Sequence, residues 1–198
     1  MQNWYRRCST FAGLALAVSA AIAAPASAQS KTVGLLGGAD FTTLTGTDSS
    51  VNSSTGFAGG FYVGIPVKSQ FSVEAELLYA NKGAQAVSDK LTINLNYLEV
   101  PVLAKYGFSP DGGAFVYAGP YVGLNVWCNT TTANKDATVG CDAASASPNT
   151  VFGGAIGIGF QKSMWGFDLR YEYDFTSAIK DENGKNSAFM VLLRLGIK

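Results

Sequence analysis

The stretch of this chain that most restricts its fold runs from Phe167 to Phe175, where large apolar residues alternate strictly with charged ones. Such alternation predicts a β-strand, because successive side chains of a strand point to opposite faces of the sheet. One face carries both signs of charge, in Asp168, Arg170, Glu172 and Asp174. A solvated strand face is rarely charged at every position. We therefore interpret the stretch as a transmembrane strand with lipid on one side and a polar interior on the other.

The composition also indicates a membrane protein that crosses the bilayer with strands. Charged residues make up 14% of the 198 residues, whereas soluble domains average about 25%. Beyond the first residues, the sequence has no apolar run of about 18 residues that could form a membrane helix. Its apolar residues are instead spread over alternate positions, which is typical of a membrane barrel. The length suits a single domain.

Residues 1–28 have the features of a secretory signal peptide. A basic start is followed by a short apolar run from Phe11 to Ala24 and by a small-residue cleavage site at Ala26-Ser27-Ala28. The apolar run is too short for a membrane anchor. We expect the mature protein to begin near Gln29, with residues 29–198 as one outer-membrane β-barrel domain.

Two cysteines remain after the signal peptide, Cys128 and Cys141, and they flank a polar segment. Export brings them into an oxidising compartment, where a disulfide is the usual outcome. A metal site is the less favoured alternative, because the chain has no histidine and two thiolates alone make a poor zinc site. We expect a disulfide that staples an outer loop.

After Gln29 the sequence predicts eight strands. They run over Val33–Leu44, Gly56–Ile65, Phe71–Asn81, Leu91–Gly107, Ala114–Trp127, Val151–Gln161, Phe167–Phe175 and Ser187–Ile197. The connections alternate between short turns and longer polar loops, which is typical of outer-membrane barrels with short periplasmic turns and long outer loops. The predicted fold class is all-β, a transmembrane antiparallel up-and-down barrel of eight strands. An even strand count would place both termini on the periplasmic side.

The face that carries the charges is expected to point into the barrel. A basic residue on the lipid face near the membrane midplane costs about 2–4 kcal/mol. The same parity in the sixth predicted strand carries Gly153, Ala155, Gly157 and Gly159, which suit a narrow interior better than a solvated exterior. A soluble lipocalin-like barrel is therefore the less favoured alternative.

This parity assigns every charged strand residue to one side of the wall. The expected interior charge network consists of Asp40, Glu74, Glu76, Glu99, Lys105, Asp168, Arg170, Glu172, Asp174 and Arg194. The expected lipid face consists of Val73, Leu77, Tyr79, Val100, Val102, Tyr106, Ile156, Ile158, Phe160, Val191, Leu193 and Leu195. Arg170 lies between Asp168 and Glu172, and the eighth and first predicted strands bring Arg194 and Asp40 to the same interior. We therefore expect Arg170 to be a hub of this charge network.

The fourth predicted strand departs from this pattern. Its first half places four large apolar residues, Leu91, Ile93, Leu95 and Tyr97, on the parity of the interior residue Glu99. Two explanations are open. A bulge could shift the phase of the strand near Tyr97, or this half could project beyond the membrane.

Three segments carry a resemblance to a known group of proteins. They are Tyr97–Tyr106, which contains Tyr-Leu-Glu-Val-Pro, the Gly-Pro-Tyr stretch of Ala118–Gly123, and Phe71–Tyr79. On these segments the chain resembles the PorT-like outer-membrane β-barrel domain family of bacteria. The resemblance implies a small eight-stranded barrel, similar in architecture to OmpA and OmpX, and supplies no catalytic residues. The chain differs from many such barrels in ending at Lys198 without a terminal aromatic residue.

The favoured function is that of a non-enzymatic outer-membrane protein with a structural or surface-interaction role and a charge-plugged interior. An eight-stranded interior is just wide enough for side chains to fill. A narrow pore, or an adhesin or ligand-binding barrel that acts through its outer loops, are the alternatives. An enzyme is disfavoured, because without histidine Ser–His and Asp–His chemistry is excluded. A carboxylate pair such as Glu74 and Glu76 would be the remaining acid–base candidate.

The expected partners follow from the expected location in the outer membrane. They are outer-membrane lipid, the barrel assembly machinery during insertion, and an unidentified surface ligand. We expect no cofactor and no metal. Acidic and basic residues are equal in number, 14 of each, so nothing favours a nucleic acid partner.

Overall fold

The structure is a computed structural model that describes residues 31–45, 51–86, 91–110, 112–132, 138–140, 150–178 and 184–197. The described residues form nine strands. They are β1 Thr32–Thr45, β2 Val51–Lys68, β3 Phe71–Ala86, β4 Leu91–Gly107, β5 Gly113–Thr132, β6 Thr138–Gly140, β7 Val151–Lys162, β8 Trp165–Asp174 and β9 Lys185–Ile197. Within these ranges, no helix is long and apolar enough to span a membrane. The predicted signal peptide, residues 1–28, lies outside them and stays a prediction.

Eight of these strands close into an antiparallel barrel. Sequential neighbours pair from β1 to β5 and from β7 to β9, β5 pairs with β7, and β9 returns to pair with β1. The short β6 adds to the far end of β5. The predicted closed eight-stranded barrel is therefore confirmed. Closure leaves no barrel strand with an unpaired edge, which a sheet surrounded by lipid requires.

The two ends of the barrel differ in their connections. Short turns join β2 to β3, β4 to β5, and β7 to β8, and we call this side the short-turn end. Thr32 and Ile197, at the outer limits of β1 and β9, also lie there. At the turn before β5, Gly112 and Gly113 have φ angles of 92° and 142°, which favour glycine. The opposite side carries the two longest connections, between β5 and β7 and between β8 and β9, and we call it the long-loop end.

Three strands extend farther toward the long-loop end than the sequence suggested. β2 begins at Val51, β3 continues to Ala86, and β5 continues to Thr132. These extensions are rich in Ser, Thr, Asn and Gly, which is why their composition resembles that of loops. Their backbones nevertheless remain paired with neighbouring strands. One consequence is that Lys82, assigned to a loop from the sequence, lies in the barrel wall.

The wall has one buried and one exposed face. Along β7, residues from Val151 to Gly157 alternate between buried inward positions and half-buried or exposed outward ones. Large apolar side chains dominate the outward face, and Leu193 on β9 is 65% exposed. Trp127 and Trp165 are 63% and 68% exposed at opposite ends of the barrel. Tryptophans in these positions are typical of the aromatic girdles at the two membrane surfaces.

The irregularity expected in the fourth predicted strand, β4, lies in β5, the strand with which it pairs. Asn96 pairs with Trp127 and Tyr97 pairs with Asn125, so Val126 of β5 is the extra residue of a bulge. The phase of β4 does not shift, since Leu95 and Tyr97 are buried like Glu99. Of the two explanations left open by the sequence, a phase shift of β4 near Tyr97 is therefore wrong. The register places the first residues of β4 beyond the level of Trp127, toward the long-loop end.

Glycines on the inward face of β7 make room for aromatic rings from β5. A methyl group at Gly153 would lie 2.5 Å from Cζ of Tyr121, and methyl groups at Gly157 and Gly159 would contact the rings of Tyr117 and Phe115. The rings therefore lie across the backbone of β7. In this way the side chains of β5 reach toward β8, the strand beyond β7.

Replacing one of these glycines should destabilise the barrel. In Gly157→Ala the new methyl group would lie 2.7 Å from the backbone oxygen of Leu169 and would displace the ring of Tyr117. We expect a loss of about 1–3 kcal/mol in the free energy of unfolding, as for other overpacked interiors. Urea unfolding of the lipid-reconstituted wild type and variant measures this difference in the free energy of unfolding.

Gly37→Ala is the matched control. Gly37 shares the outward parity of β1, and a methyl group there would have no atom within 4 Å. We expect its free energy of unfolding to stay within about 0.5 kcal/mol of the wild type. Equal stability of the two variants would show that the β7 glycines do not provide room for the rings.

Candidate functional site

The interior of the barrel is filled with charged and polar side chains. The structure places all ten residues of the expected charge network on the inward face. Nine of them are buried almost completely, and the tenth, Lys105, has a side chain that is 13% exposed. Burial of so many charges is costly unless they are paired, so their partners determine what the interior can do.

An arginine–carboxylate pair crosses the centre of the lumen. Arg170 Nη1 and Nη2 donate to the two carboxylate oxygens of Glu76 at 2.7 and 2.8 Å. Arg170 Nε donates to Tyr117 Oη at 3.0 Å. Arg170 lies on β8 and Glu76 on β3, and three strands separate β3 from β8 in either direction around the barrel. The pair therefore joins opposite walls, and its two parallel hydrogen bonds fix its geometry.

Next to this central pair, a group of four charged residues lies nearer the short-turn end. Arg194 Nη1 donates to Asp168 Oδ2 at 2.9 Å, and Arg194 Nη2 donates to Glu74 Oε2 at 2.6 Å. Lys105 Nζ reaches the same Glu74 oxygen at 3.3 Å and lies 3.9 Å from the centre of the Phe115 ring. We call Glu74, Lys105, Asp168 and Arg194 the short-turn cluster. It contains two acids and two bases.

A third cluster is organised by Lys82, which sequence reasoning missed. Lys82 Nζ lies 2.6 Å from Glu99 Oε1 and 2.9 Å from Glu172 Oε2, and all three side chains are fully buried. The signal was present, because Lys82 continues the inward parity of Glu74 and Glu76. It was overlooked because the sequence Asn-Lys-Gly resembles a turn.

Neutral side chains supply donors to two further acids in this region. Tyr121 Oη and Asn186 Nδ2 both donate to Asp174. Thr42 Oγ1 donates to Asp40 Oδ1 at 2.8 Å. We call Asp40, Lys82, Glu99, Glu172 and Asp174 the long-loop cluster. It contains four acids and one base.

The interior is thus divided into clusters rather than gathered around one hub. Arg170 contacts Glu172 at 3.5 Å, in agreement with one expected contact. Asp168, however, binds Arg194 and Tyr117, and Asp40 bonds to Thr42. Arg170 forms its bidentate ion pair with Glu76 instead, since Glu76 faces it across the lumen. Pairing across the lumen depends on which strands lie opposite each other, which alternation within one strand does not reveal.

A polar cavity opens at the short-turn end. Its volume is about 410 Å³, and Glu74, Lys105, Phe115 and Gln161 are among the residues that line it, together with residues of the β2–β3 and β4–β5 turns. The short-turn cluster is therefore reached from this side. Gln161 connects the cavity wall to the cluster, because its Oε1 accepts from Arg194 Nε at 3.3 Å.

The arrangement offers little for catalysis or metal binding. Within the described ranges, no three His, Cys, Asp or Glu residues are grouped so that they could hold a metal ion. Glu74 and Glu76, the carboxylate pair considered for acid–base chemistry, each bind an arginine. Cys128 packs against the buried apolar residues of β4 and β5. Cys141 lies outside the described residues, so its disulfide with Cys128 stays a prediction.

Comparison with known families identifies the group to which this architecture belongs. The family model described as "Outer membrane protein beta-barrel domain" matches residues 27–180. The chain therefore belongs to the outer membrane protein beta-barrel domain family. No curated protein matches the chain significantly.

Three solved structures of bacterial proteins are similar to this chain. Neisserial surface protein A is 14% identical, with coverage of 84% of this chain and 99% of its own and a TM-score of 0.53. Ail of Yersinia pestis is 13% identical, with coverage of 84% and 97% and a TM-score of 0.47. OprG of Pseudomonas aeruginosa is 15% identical, with coverage of 85% and 94% and a TM-score of 0.43. The likeness to Neisserial surface protein A concerns the fold alone.

Removal of Arg170 should weaken the barrel strongly. Arg170→Ala would leave Glu76 as a buried carboxylate without its cation, which typically costs about 3–5 kcal/mol. The measurement is the free energy of unfolding of the lipid-reconstituted barrel in urea at neutral pH. The control is the double variant Arg170→Met/Glu76→Met, which removes both charges and should lose less than the single variant. Unchanged stability in Arg170→Ala would mean that the charges are hydrated and mobile.

Proposed function

We propose that this member of the outer membrane protein beta-barrel domain family is a closed, non-enzymatic support for the loops at its long-loop end. The observation that carries the proposal is the pairing of Arg170 with Glu76 across the barrel diameter. A second ion pair joins the same two strands, from Lys82 to Glu172, and lies nearer the long-loop end. We call these two ion pairs the struts. Two layers of buried ion pairs leave little room for a solute to pass.

The proposed orientation places the short-turn end in the periplasm and the long loops outside the cell. It is supported by the general arrangement of outer-membrane barrels, which have short periplasmic turns and longer extracellular loops. The apolar outward face would contact outer-membrane lipid, and the barrel assembly machinery would insert the chain. Under this proposal, the interactions of the protein with its surroundings occur at the long-loop end.

The non-enzymatic part of the proposal rests on side-chain chemistry. The chain contains no histidine, which is the most common general base in proteins. The interior carboxylates that could replace it are buried in ion pairs or bonded to neutral donors. Such groups are held in fixed positions by their partners.

Two finer features belong to the same proposal. We assign the chain to the PorT-like branch on the Tyr97-Leu98-Glu99-Val100-Pro101 segment, in which Tyr97 and Glu99 both enter the buried interior. We also propose that Cys128 forms a disulfide with Cys141 after export. Such a bridge would tie the connection that follows β5 to the barrel wall near Trp127.

Planar-bilayer recording of the purified protein tests whether the barrel is closed. We expect no stepwise conductance from the wild type, because the central pair and the Lys82 strut block the lumen. The variant Arg170→Ala/Lys82→Ala, which lacks both struts, serves as a control that an opened lumen can be detected. Regular conductance steps from the wild-type protein would contradict the closed barrel and favour a narrow pore.

Surface binding is a second candidate function, and the extension of β5 favours it. β5 continues past Trp127 to Thr132, and β6 pairs with it over Asn129–Thr131. This pairing places β6, which lies within the connection between β5 and β7, beyond the level of Trp127. A strand at this level is well placed to contact another surface.

Adhesion of cells that display the barrel tests this candidate. Replacement of residues 133–149 by a short Gly-Ser linker should abolish most binding to epithelial monolayers and to a collagen matrix. Replacement of residues 46–50 in the same manner is the control and should leave binding largely intact. If the two variants and the wild type adhere equally, the connection between β5 and β7 is not an adhesive element.

A further inference from the structure

The long-loop cluster contains more buried carboxyl groups than cations. Asp40, Glu99, Glu172 and Asp174 are each 0% exposed, and Lys82 is the one basic member of the cluster. The other two groups of interior charges are balanced, with two acids and two bases in the short-turn cluster and one of each in the central pair. An excess of buried negative charge is expensive. Because carboxyl groups outnumber cations in the long-loop cluster, additional positive charge is needed there to stabilise it.

Glu99 and Glu172 are the two acids for which this positive charge is needed. Both carboxyl groups bind the same nitrogen, Lys82 Nζ, at 2.6 and 2.9 Å. Glu99 Oε2 and Glu172 Oε1 are buried and have no hydrogen-bond donor among the described residues. An ionised carboxylate can only accept hydrogen bonds, so these oxygens carry buried charge that one ammonium group must balance for both residues. A proton on one of the two carboxyl groups removes this cost.

The other acids of the cluster have a different environment. Asp174 accepts from Tyr121 and Asn186, and Asp40 accepts from Thr42. Each of these two acids therefore has a neutral donor of its own. Glu99 and Glu172 instead share one ammonium group, and two carboxyl groups held close together at one site favour holding a single proton between them.

The groups around the pair come from most of the barrel wall. The titratable and charged side chains that face it are Asp40 from β1, Lys82 from β3, Tyr97 from β4, Tyr121 from β5, and Arg170 and Asp174 from β8. Arg170 is engaged by Glu76, and its Nη1 lies 3.5 Å from Glu172 Oε1 without forming a hydrogen bond. Among the residues that the structure describes, no second cation is dedicated to the pair.

We propose that Glu99 and Glu172 form a proton-binding site, in which one proton is shared between the two carboxyl groups at neutral pH. The shared proton completes a bridge from β4 through Lys82 of β3 to β8. Release of the proton at alkaline pH would place a second negative charge beside the first and weaken this bridge. The closure of the interior at its long-loop end would then depend on the pH of the surroundings.

Infrared difference spectroscopy of the lipid-reconstituted protein tests the proposal directly. A protonated carboxyl group has a carbonyl band that carboxylates lack and that shifts in heavy water. We expect such a band at neutral pH, its loss on alkalinisation, and a matching reduction at neutral pH in Glu99→Gln. Lys162→Gln, a change at an exposed residue of the short-turn end, is the control and should leave the band unchanged.

The pH dependence of stability provides a second readout. The folded protein retains a proton that an unfolded glutamate would release near its ordinary pKa of about 4.3. The wild-type unfolding midpoint should therefore fall as the pH rises from this range, until the folded state also loses its proton. Glu99→Gln cannot lose a proton at this position, so its midpoint should fall less over the same range.

A third variant keeps the test decisive if Glu99→Gln does not fold. Glu172→Gln removes the other member of the pair and should reduce the same infrared band. If neither glutamine variant that folds changes the band or the pH dependence, both carboxyl groups are ionised and the proposal is wrong. A reduction by one variant together with an unchanged band in Lys162→Gln supports it.

Discussion

The pairing of β1 with β9 is the interaction on which the rest of the structure depends. It runs without interruption from Val33 opposite Ile197 to Thr45 opposite Lys185. In a bilayer each backbone group without a partner costs several kcal/mol, so a sheet is stable there only when its first and last strands meet. Once the sheet is closed, every residue faces either lipid or the interior. The charged half of each alternating strand must then point inward.

Because the interior is small, the charged side chains that point inward contact specific partners there. Eight strands enclose a space that side chains can just fill, so charges on opposite walls, such as Arg170 and Glu76, meet directly. The inward glycines of β7 also shape these contacts, because they allow aromatic rings from β5 to lie across the backbone of β7. Tyr117 thereby reaches both Asp168 and Arg170. Neutral hydroxyl groups are in this way placed among the charges and supply hydrogen bonds where cations are lacking.

The sequence was sufficient to predict the class of fold and most of the wall, because a two-residue period is a local property. The limits of β4 and the inward parity of Arg170 were readable from single strands. The partner of Arg170 was not, since it depends on which strand lies opposite. Lys82 was missed for a related reason, because a polar strand beyond the apolar band has the composition of a loop. A bulge was one of two explanations considered for β4, but it lies at Val126 of β5, since a broken apolar pattern does not show which of two paired strands carries the extra residue.

The pair between Arg170 and Glu76 also has a mechanical consequence. A barrel without internal contacts could be flattened by lateral pressure in the membrane, since its wall is a single sheet that bends easily. A bidentate bond between opposite strands fixes one diameter, and the bond between Lys82 and Glu172 fixes nearly the same diameter at another height. The cross-section should therefore resist deformation most strongly along the line from β3 to β8. Along the perpendicular line, between β1 and β5, the barrel should be the more compliant.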